Sequence, residues 1–537
     1  MSTTDPRPAD VDVVVVGAGF AGLYALHRLR GQGMSVRVVE AGSDVGGTWF
    51  WNRYPGARCD IESVFYSYSF DADLAREWEW SERYAAQPEI LAYLQHVADR
   101  FDLRRDITLD TRVLSAHLDE TAGRWTVTTD GGERLTAAYV VLAVGLLSST
   151  NLPQIEGRDD FAGPTYHTGA WPHEPVDFTG RRVGVIGTGS SGIQLIPLVA
   201  EQAEHLTVFQ RTPNFSLPAK NGAPDPAKVA RVREDHAAMK EELRGSSYGI
   251  LLEPPTQSAL EVPAAEREAK YRERWDEGTL TGILQAYNDL VRNEESNHTA
   301  AEFVRQRIAE IVHDPQVAAD LMPQGYAYGT KRPCLDTDYY ATFNRDDVTL
   351  VNLRRTPIER ITARGVVVDG VEHELDDLVY ATGYDAMTGP LLGIDIRGRE
   401  GRTLRETWAD GPRSYLGIGV SGFPNLFTLT GPGSPSALSN AVVSIEQHVE
   451  WVADLLGHLR ERGAALVEAD DQAEKEWTEH VQVAGNATLY PRTDSWYMGA
   501  NVPGKPRVFL PYIGGVGNYR AHCDQVAREG YRGFVIA

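Results

Sequence analysis

The chain has 537 residues, 42% hydrophobic and 24% charged, a globular balance able to bury several domain-sized cores. Its 75 Asp and Glu outnumber 52 Lys and Arg for a net charge of −23, which argues against nucleic acid or an anionic membrane as the main partner. Three scattered cysteines, Cys59, Cys334 and Cys523, form no CxxC or CxxxxC pair, which excludes a disulfide framework and a zinc site and suits a reducing cytoplasm.

The opening residues place acids ahead of an apolar run without a small-residue cleavage site. No signal peptide is expected, and the start reads as a short disordered tail. No apolar stretch approaches the roughly 18 residues a membrane helix needs, so we expect a soluble, cytoplasmic monomer. Val13 to Val16 form a β-branched run of the kind buried on both faces of a parallel sheet. Gly17-Ala18-Gly19-Phe20-Ala21-Gly22 follows at once, Leu23 to Leu29 have helical spacing, and Ser35 to Glu40 read as a second strand. This is a βαβ unit ending in an acid.

The pattern recurs. Arg182 to Ile186 read as a strand, Gly187-Thr188-Gly189-Ser190-Ser191-Gly192 as the turn, Ile193 to Gln202 as a helix and His205 to Gln210 as a strand. One GxGxxG is a weak signal; two, each set between strand and helix, are a strong one. From about Asn221 to Met322 the chain is rich in Ala, Glu, Arg and Lys at helical spacing. Leu378 to Asp385, LVYATGYD, read as a strand running into a glycine turn. The last third returns to mixed α/β character, with turn clusters at Gly431–Pro435 and Asn501–Gly504. The expected fold class is α/β, with two Rossmann-like dinucleotide-binding domains and a helical insertion. The first domain takes residues 1–150 and 386–537, the second 151–220 and 325–385, and the insertion 221–324.

In such a unit the first glycine permits the tight turn, the second lets a pyrophosphate approach the backbone and the third lets helix and strand pack. The helix N-terminus stabilises the phosphate charge. Gly17, Gly19 and Gly22, and Gly187, Gly189 and Gly192, are therefore cofactor-binding candidates, with Phe20, Thr188, Ser190 and Ser191 beside them. The residue ending the second strand selects the nucleotide. Glu40 can accept hydrogen bonds from free ribose hydroxyls and repels a 2′-phosphate, which suits FAD. Arg211 and Thr212 in the second unit offer a charge-assisted fork and a hydroxyl to a 2′-phosphate, which favours NADPH.

Two further segments carry a resemblance. One is Gly46-Gly47-Thr48-Trp49-Phe50-Trp51-Asn52-Arg53-Tyr54-Pro55-Gly56-Ala57-Arg58-Cys59-Asp60. The other runs from Phe161 through Gly163 and His167 to Trp171-Pro172 and matches FxGxxxHxxxWP. With a glycine turn on either side, the chain resembles the type I Baeyer–Villiger monooxygenases, closest to their phenylacetone and steroid monooxygenase branch. The resemblance spans the chain from Val11 to the C-terminus.

That resemblance implies an enzyme using FAD, NADPH and O2. It converts small-molecule ketones to esters or lactones through a C4a-peroxyflavin, with sulfoxidation as an additional activity. Arg332 in Gly329-Thr330-Lys331-Arg332 matches the family's essential arginine, and Asp60 its aspartate partner. Lys331 matches a lysine that helps hold the 2′-phosphate. Gly47, Thr48, Trp49, Tyr66 and Val113 fall at flavin-side positions, and Trp496 on a loop that closes over NADP. His167 reads as a coupling element rather than a general base, with Phe161 and Trp171 as buried anchors. Leu146, Ser436, Ala437, Leu438 and Ala441 fall at pocket positions, with Leu146 and Ala441 suggesting a more apolar, roomier pocket. No metal is implied. The competing reading is a flavin-containing monooxygenase acting on amine or sulfide heteroatoms, which shares the architecture and the LVYATGYD segment. A flavin sensor without turnover predicts a degraded second turn or a lost arginine, and neither is seen.

Overall fold

A computed structural model describes residues 10–537; the short N-terminal tail lies outside them. Two parallel-centred sheets carry the chain. The first is eight-stranded and built around the long strand Arg134–Leu142. Val11–Val16 and Leu426–Thr428 run parallel to that strand, and Arg124–Thr129 runs antiparallel to it. Val36–Val39 lies on the far side of Val11–Val16. Val13, Val14 and Val15 are wholly buried, as a strand with packing on both faces requires.

The second sheet has five strands, all parallel, in the order 348–352, 205–210, 182–186, 377–380, 165–167. The expected strands Arg182–Ile186 and His205–Gln210 form with those bounds. Helix Ser190–Gln202 starts three residues earlier than its apolar spacing suggested and absorbs Pro197. Residues 221–324 are helical, with helices at Pro226–Glu234, His236–Gly245, Ala264–Glu277, Glu294–Ile311 and Pro315–Leu321. Asp225, Asn293 and Asp314 cap three of these with their side chains, which satisfies amides left open at a helix start. No helix of the described residues is long and apolar enough to cross a membrane.

The C-terminal part is stitched onto the first sheet by Asn425. It sits in the left-handed region (φ 60°) and is buried. Its amide donates to Ala138 O at 3.1 Å and Ala465 O at 2.9 Å and accepts from Val467 N at 2.8 Å. Asn tolerates this backbone better than most residues, and its short amide serves two chain segments at once. Asn425→Ala leaves three backbone groups unpaired. It should lower the unfolding free energy by about 3 kcal/mol, measured by urea denaturation; a loss below about 1 kcal/mol would contradict the stitching role.

Candidate active site

Both glycine turns are built as anion cradles. A Cβ on Gly17 (φ +103°) would sit 2.6 Å from Ala143 O, and one on Gly22 would sit 1.7 Å from Gly17 O. Gly19 faces Gly47, whose Cα would be 3.2 Å from its Cβ. Helix Phe20–Gly31 then begins with no side-chain cap and no acid in its first turn, so neither competes with an anion for its first amides and dipole. The second turn repeats the design. A Cβ on Gly187 (φ +111°) would meet Ala381 O at 2.4 Å, one on Gly192 would meet Gly187 O at 2.4 Å, and one on Gly189 would meet nothing within 4 Å. Helix Ser190–Gln202 is likewise uncapped.

The two cradles differ in charge. Glu40 is buried, and its carboxylate accepts from Ala18 N at 2.6 Å and Gly42 N at 2.7 Å. Each oxygen keeps a lone pair for a hydroxyl. Burial raises its pKa, opposed by these two amides. Thr111 N donates to Glu40 O and so brings the segment ahead of Val113 alongside. The Val113 side chain, however, packs into the core with Val14, Val16 and Val39, leaving only its main chain for any ligand. Thr48 opens the short helix Thr48–Trp51. Trp49 Nε1 donates to the Tyr66 hydroxyl at 3.3 Å, and the Phe20 ring meets Tyr66 edge-on at 5.2 Å, a continuous aromatic wall.

At the second cradle the charge is positive. Burial lowers the pKa of Lys331, and the charges of Arg211 and Arg354 add to that shift. Arg354 escaped the sequence reading. The parallel pairing of Asn352 with Gln210 carries it beside Arg211, a neighbourhood that no local motif encodes. Lys331 Nζ donates to Asp494 O at 2.6 Å. Thr188 Oγ1 donates to Gln210 Oε1 and to Thr212 O, Ser190 pairs with Cys334 Sγ at 3.2 Å, and Ser191 with Thr168 at 3.1 Å.

Between the cradles lies a guanidinium. Arg332 Nε and Nη2 each donate to one Asp60 carboxylate oxygen at 2.8 Å, and Nη1 donates to Ala437 O at 3.3 Å. Both side chains keep 24% of their exposure, so the fork is held but not sealed. Burial alone would pull the arginine pKa down; the Asp60 charge and hydrogen bonds outweigh it and hold the pKa well above its ordinary value. Asn214 Nδ2 donates to Arg332 O at 3.0 Å and to Cys334 Sγ at 3.2 Å, and the Tyr497 phenol lies against the guanidinium. Neither Asn214 nor Tyr497 was singled out by the sequence.

The expected pocket residues differ in burial and in hydrogen bonding. Ser436 is 2% exposed and its hydroxyl is spent inward on Thr430 O and Ser434, while Ala437 contributes its carbonyl. Leu146, Leu438 and Ala441 are half-buried apolar groups. The sequence did not single out the phenols of Tyr490 and Tyr497, whose rings lie 5.4 Å apart, nor that of Tyr248, which also lies near Tyr490.

The fingerprint segment is structural in its contacts. Phe161 packs with Ile186, Phe209 and Tyr380, and a Cβ on Gly163 would meet Asp376 O at 2.4 Å. Trp171 stacks on Tyr166 at 5.3 Å, and Pro172 follows it, half-buried. His167 Nδ1 accepts from Gly169 N at 3.0 Å, which puts the proton on Nε2, facing Thr382 Oγ1 at 3.4 Å. Thr382 in turn donates to Asn151 O. Both ring nitrogens are engaged, so no lone pair is left to take a substrate proton.

Residues 11–227 match the family model described as pyridine nucleotide-disulphide oxidoreductase. The three cysteines are free and buried, so the likeness lies in the nucleotide cradles and not in a redox disulfide. A Baeyer–Villiger monooxygenase of Pseudooceanicola batsensis is 44% identical over 98% of this chain and 96% of its own. The solved structure of an oxidized steroid monooxygenase bound to NADP is 53% identical, with a TM-score of 0.93 over 98% of this chain and 99% of that one. OTEMO in complex with FAD and NADP is 39% identical, with a TM-score of 0.95 over 99% and 100%. Full-length identity of this order, on a chain that builds two nucleotide cradles around one forked arginine, leaves one assignment: the chain belongs to the Baeyer–Villiger monooxygenase family.

Proposed function

We propose that the chain is an FAD-containing, NADPH- and O2-dependent monooxygenase that converts ketones to esters or lactones. The observation that carries this reading is the Arg332–Asp60 fork at the meeting of two unlike cradles. Residues 1–150 with 386–537 form the FAD-binding domain, residues 151–220 with 325–385 the NADP-binding domain, and residues 221–324 a helical insertion.

The residues fit both cofactors. Gly17, Gly19 and Gly22 clear a path for one pyrophosphate beside an uncapped helix start, and Glu40 offers two acceptors to ribose hydroxyls. Trp49, Tyr66 and Phe20 wall the ring side. Gly187, Gly189 and Gly192 repeat the cradle, and Arg211, Thr212, Lys331 and Arg354 surround the place of a 2′-phosphate, where three cations suit a dianion. When bound, the reduced flavin supplies the redox chemistry with oxygen.

The protein does the rest. Attack on a ketone carbonyl places negative charge on its oxygen, and a guanidinium that never deprotonates can meet that charge without moving a proton. Asp60 fixes the plane of the fork, and Ala437 O and Asn214 fix its reach. Trp496, tilted against Tyr497 with ring centroids 4.2 Å apart, closes the site against water, which would otherwise dissipate a reactive oxygen species. Oxygenation of an amine or sulfide builds no oxyanion on the substrate and gives Arg332 nothing to stabilise, which sets that chemistry second.

Arg332→Ala should retain bleaching of the flavin by NADPH while ester formation falls about 100-fold or more, followed by absorbance and by product chromatography. Ester yield equal to the unsubstituted enzyme would remove Arg332 from its role. Arg211→Ala should raise the KM for NADPH about tenfold or more and leave the bound FAD content unchanged. An unaltered KM would place recognition of the 2′-phosphate elsewhere.

A further inference from the structure

The segment 494–505, which carries Trp496 and Tyr497, is tied down at both ends. At its start the ties are Lys331 to Asp494 O and Thr330 to Thr493, already part of the site. Its far end reaches another element. Lys505 Nζ donates to Asp385 Oδ1 at 2.6 Å and to Ala386 O at 2.7 Å. The Lys505 side chain keeps 9% of its exposure and that of Asp385 keeps 31%. Asn501 Nδ2 donates to Tyr384 O at 2.7 Å. These partners close the LVYATGYD turn, whose Ala381 lies under Gly187 of the second cradle, and two residues beyond Asp385 Met387 N donates to Leu146 O.

Lys505 also bears on the Trp496 turn directly. Trp496–Met498 is a single turn of 3-10 helix ended by Gly499 in the left-handed region. A Cβ on Gly499 would meet Pro506 O at 2.8 Å and the Lys505 Cγ at 3.4 Å. The lysine stem therefore runs beneath the turn that presents Tyr497 to Arg332, while its ammonium grips the second nucleotide unit. A fully exposed ion pair would contribute little. With the lysine nearly enclosed, the attraction is less screened, yet both partners rehydrate as soon as the segment lifts. Such a pair can close and open.

We propose that Lys505 and Asp385 are positioning residues: their ion pair is a latch that holds the Trp496–Tyr497 turn against Arg332. The latch rests on the proposed function only for what lies beneath the turn. Its geometry stands on this chain's own contacts. With the latch lost, the turn lifts, water enters, and reducing equivalents from NADPH pass to oxygen as hydrogen peroxide instead of one oxygen atom passing to the ketone.

The test uses the FAD-loaded protein with NADP+ and no ketone. Amide hydrogen exchange is followed across residues 494–505 and referenced to the core strand 11–16. Lys505→Ala and Asp385→Ala should each speed exchange in 494–500 about tenfold relative to the core. Lys505→Arg should not, and the charge exchange Lys505→Asp with Asp385→Lys should recover most of the protection. In turnover the alanine variants should divert NADPH to hydrogen peroxide, with the rate of flavin reduction unchanged. Unchanged relative exchange in the single variants overturns the latch. So does exchange that rises in the single variants and is not recovered by the charge exchange, which would make the contact merely structural. Because exchange needs no ester, its outcome is independent of whether ketones are the substrate.

Discussion

The fork between Arg332 and Asp60 joins residues 272 positions apart and is the contact on which the site depends. Asp60 ends the loop that leaves the first cradle; Arg332 stands where the chain returns from the helical insertion to the strand Cys334–Asp336. Each half is held by its own scaffold. A bidentate pair tolerates little error in distance or plane, so the fork registers the two nucleotide units against each other. Removing either partner would strand a partly desolvated charge.

Electrostatics divides the same way. The chain as a whole carries −23, yet at the second cradle burial, with the charges of Arg211 and Arg354 beside it, lowers the pKa of Lys331. On the proposed reading that cost to the lysine is offset when the 2′-phosphate arrives, and a nucleotide without the extra phosphate leaves it in place. At the first cradle the buried Glu40 plays the opposite part. A net charge computed from composition predicts neither local field, because each is made by strand ends that the fold brings together.

The sequence made the cradles legible because a glycine turn between strand and helix is a local device; Gly17, Gly22, Gly187 and Gly192 are each required by a backbone oxygen within 2.6 Å of a would-be Cβ. Glu40 and Arg211 were legible for the same reason, as each ends a strand beside its turn. Arg332 and Asp60 were reached through resemblance, since nothing in either segment encodes their meeting. Arg354, Asn214 and Tyr497 were missed because their value lies in pairing register and in a hydrogen bond to a distant carbonyl. The inward turn of the Ser436 hydroxyl was not legible, because position in a motif fixes where a residue stands, not which way its hydroxyl turns.

The central claim is that two nucleotide sites serve one ketone-oxidising centre at the Arg332–Asp60 fork. Its most direct test is turnover of a ketone with NADPH under isotopically heavy oxygen gas, with mass analysis of the product. The account predicts an ester or lactone carrying one heavy atom, in the newly formed C–O–C link. Consumption of NADPH with no ester, or an ester whose inserted oxygen comes from water, would contradict it.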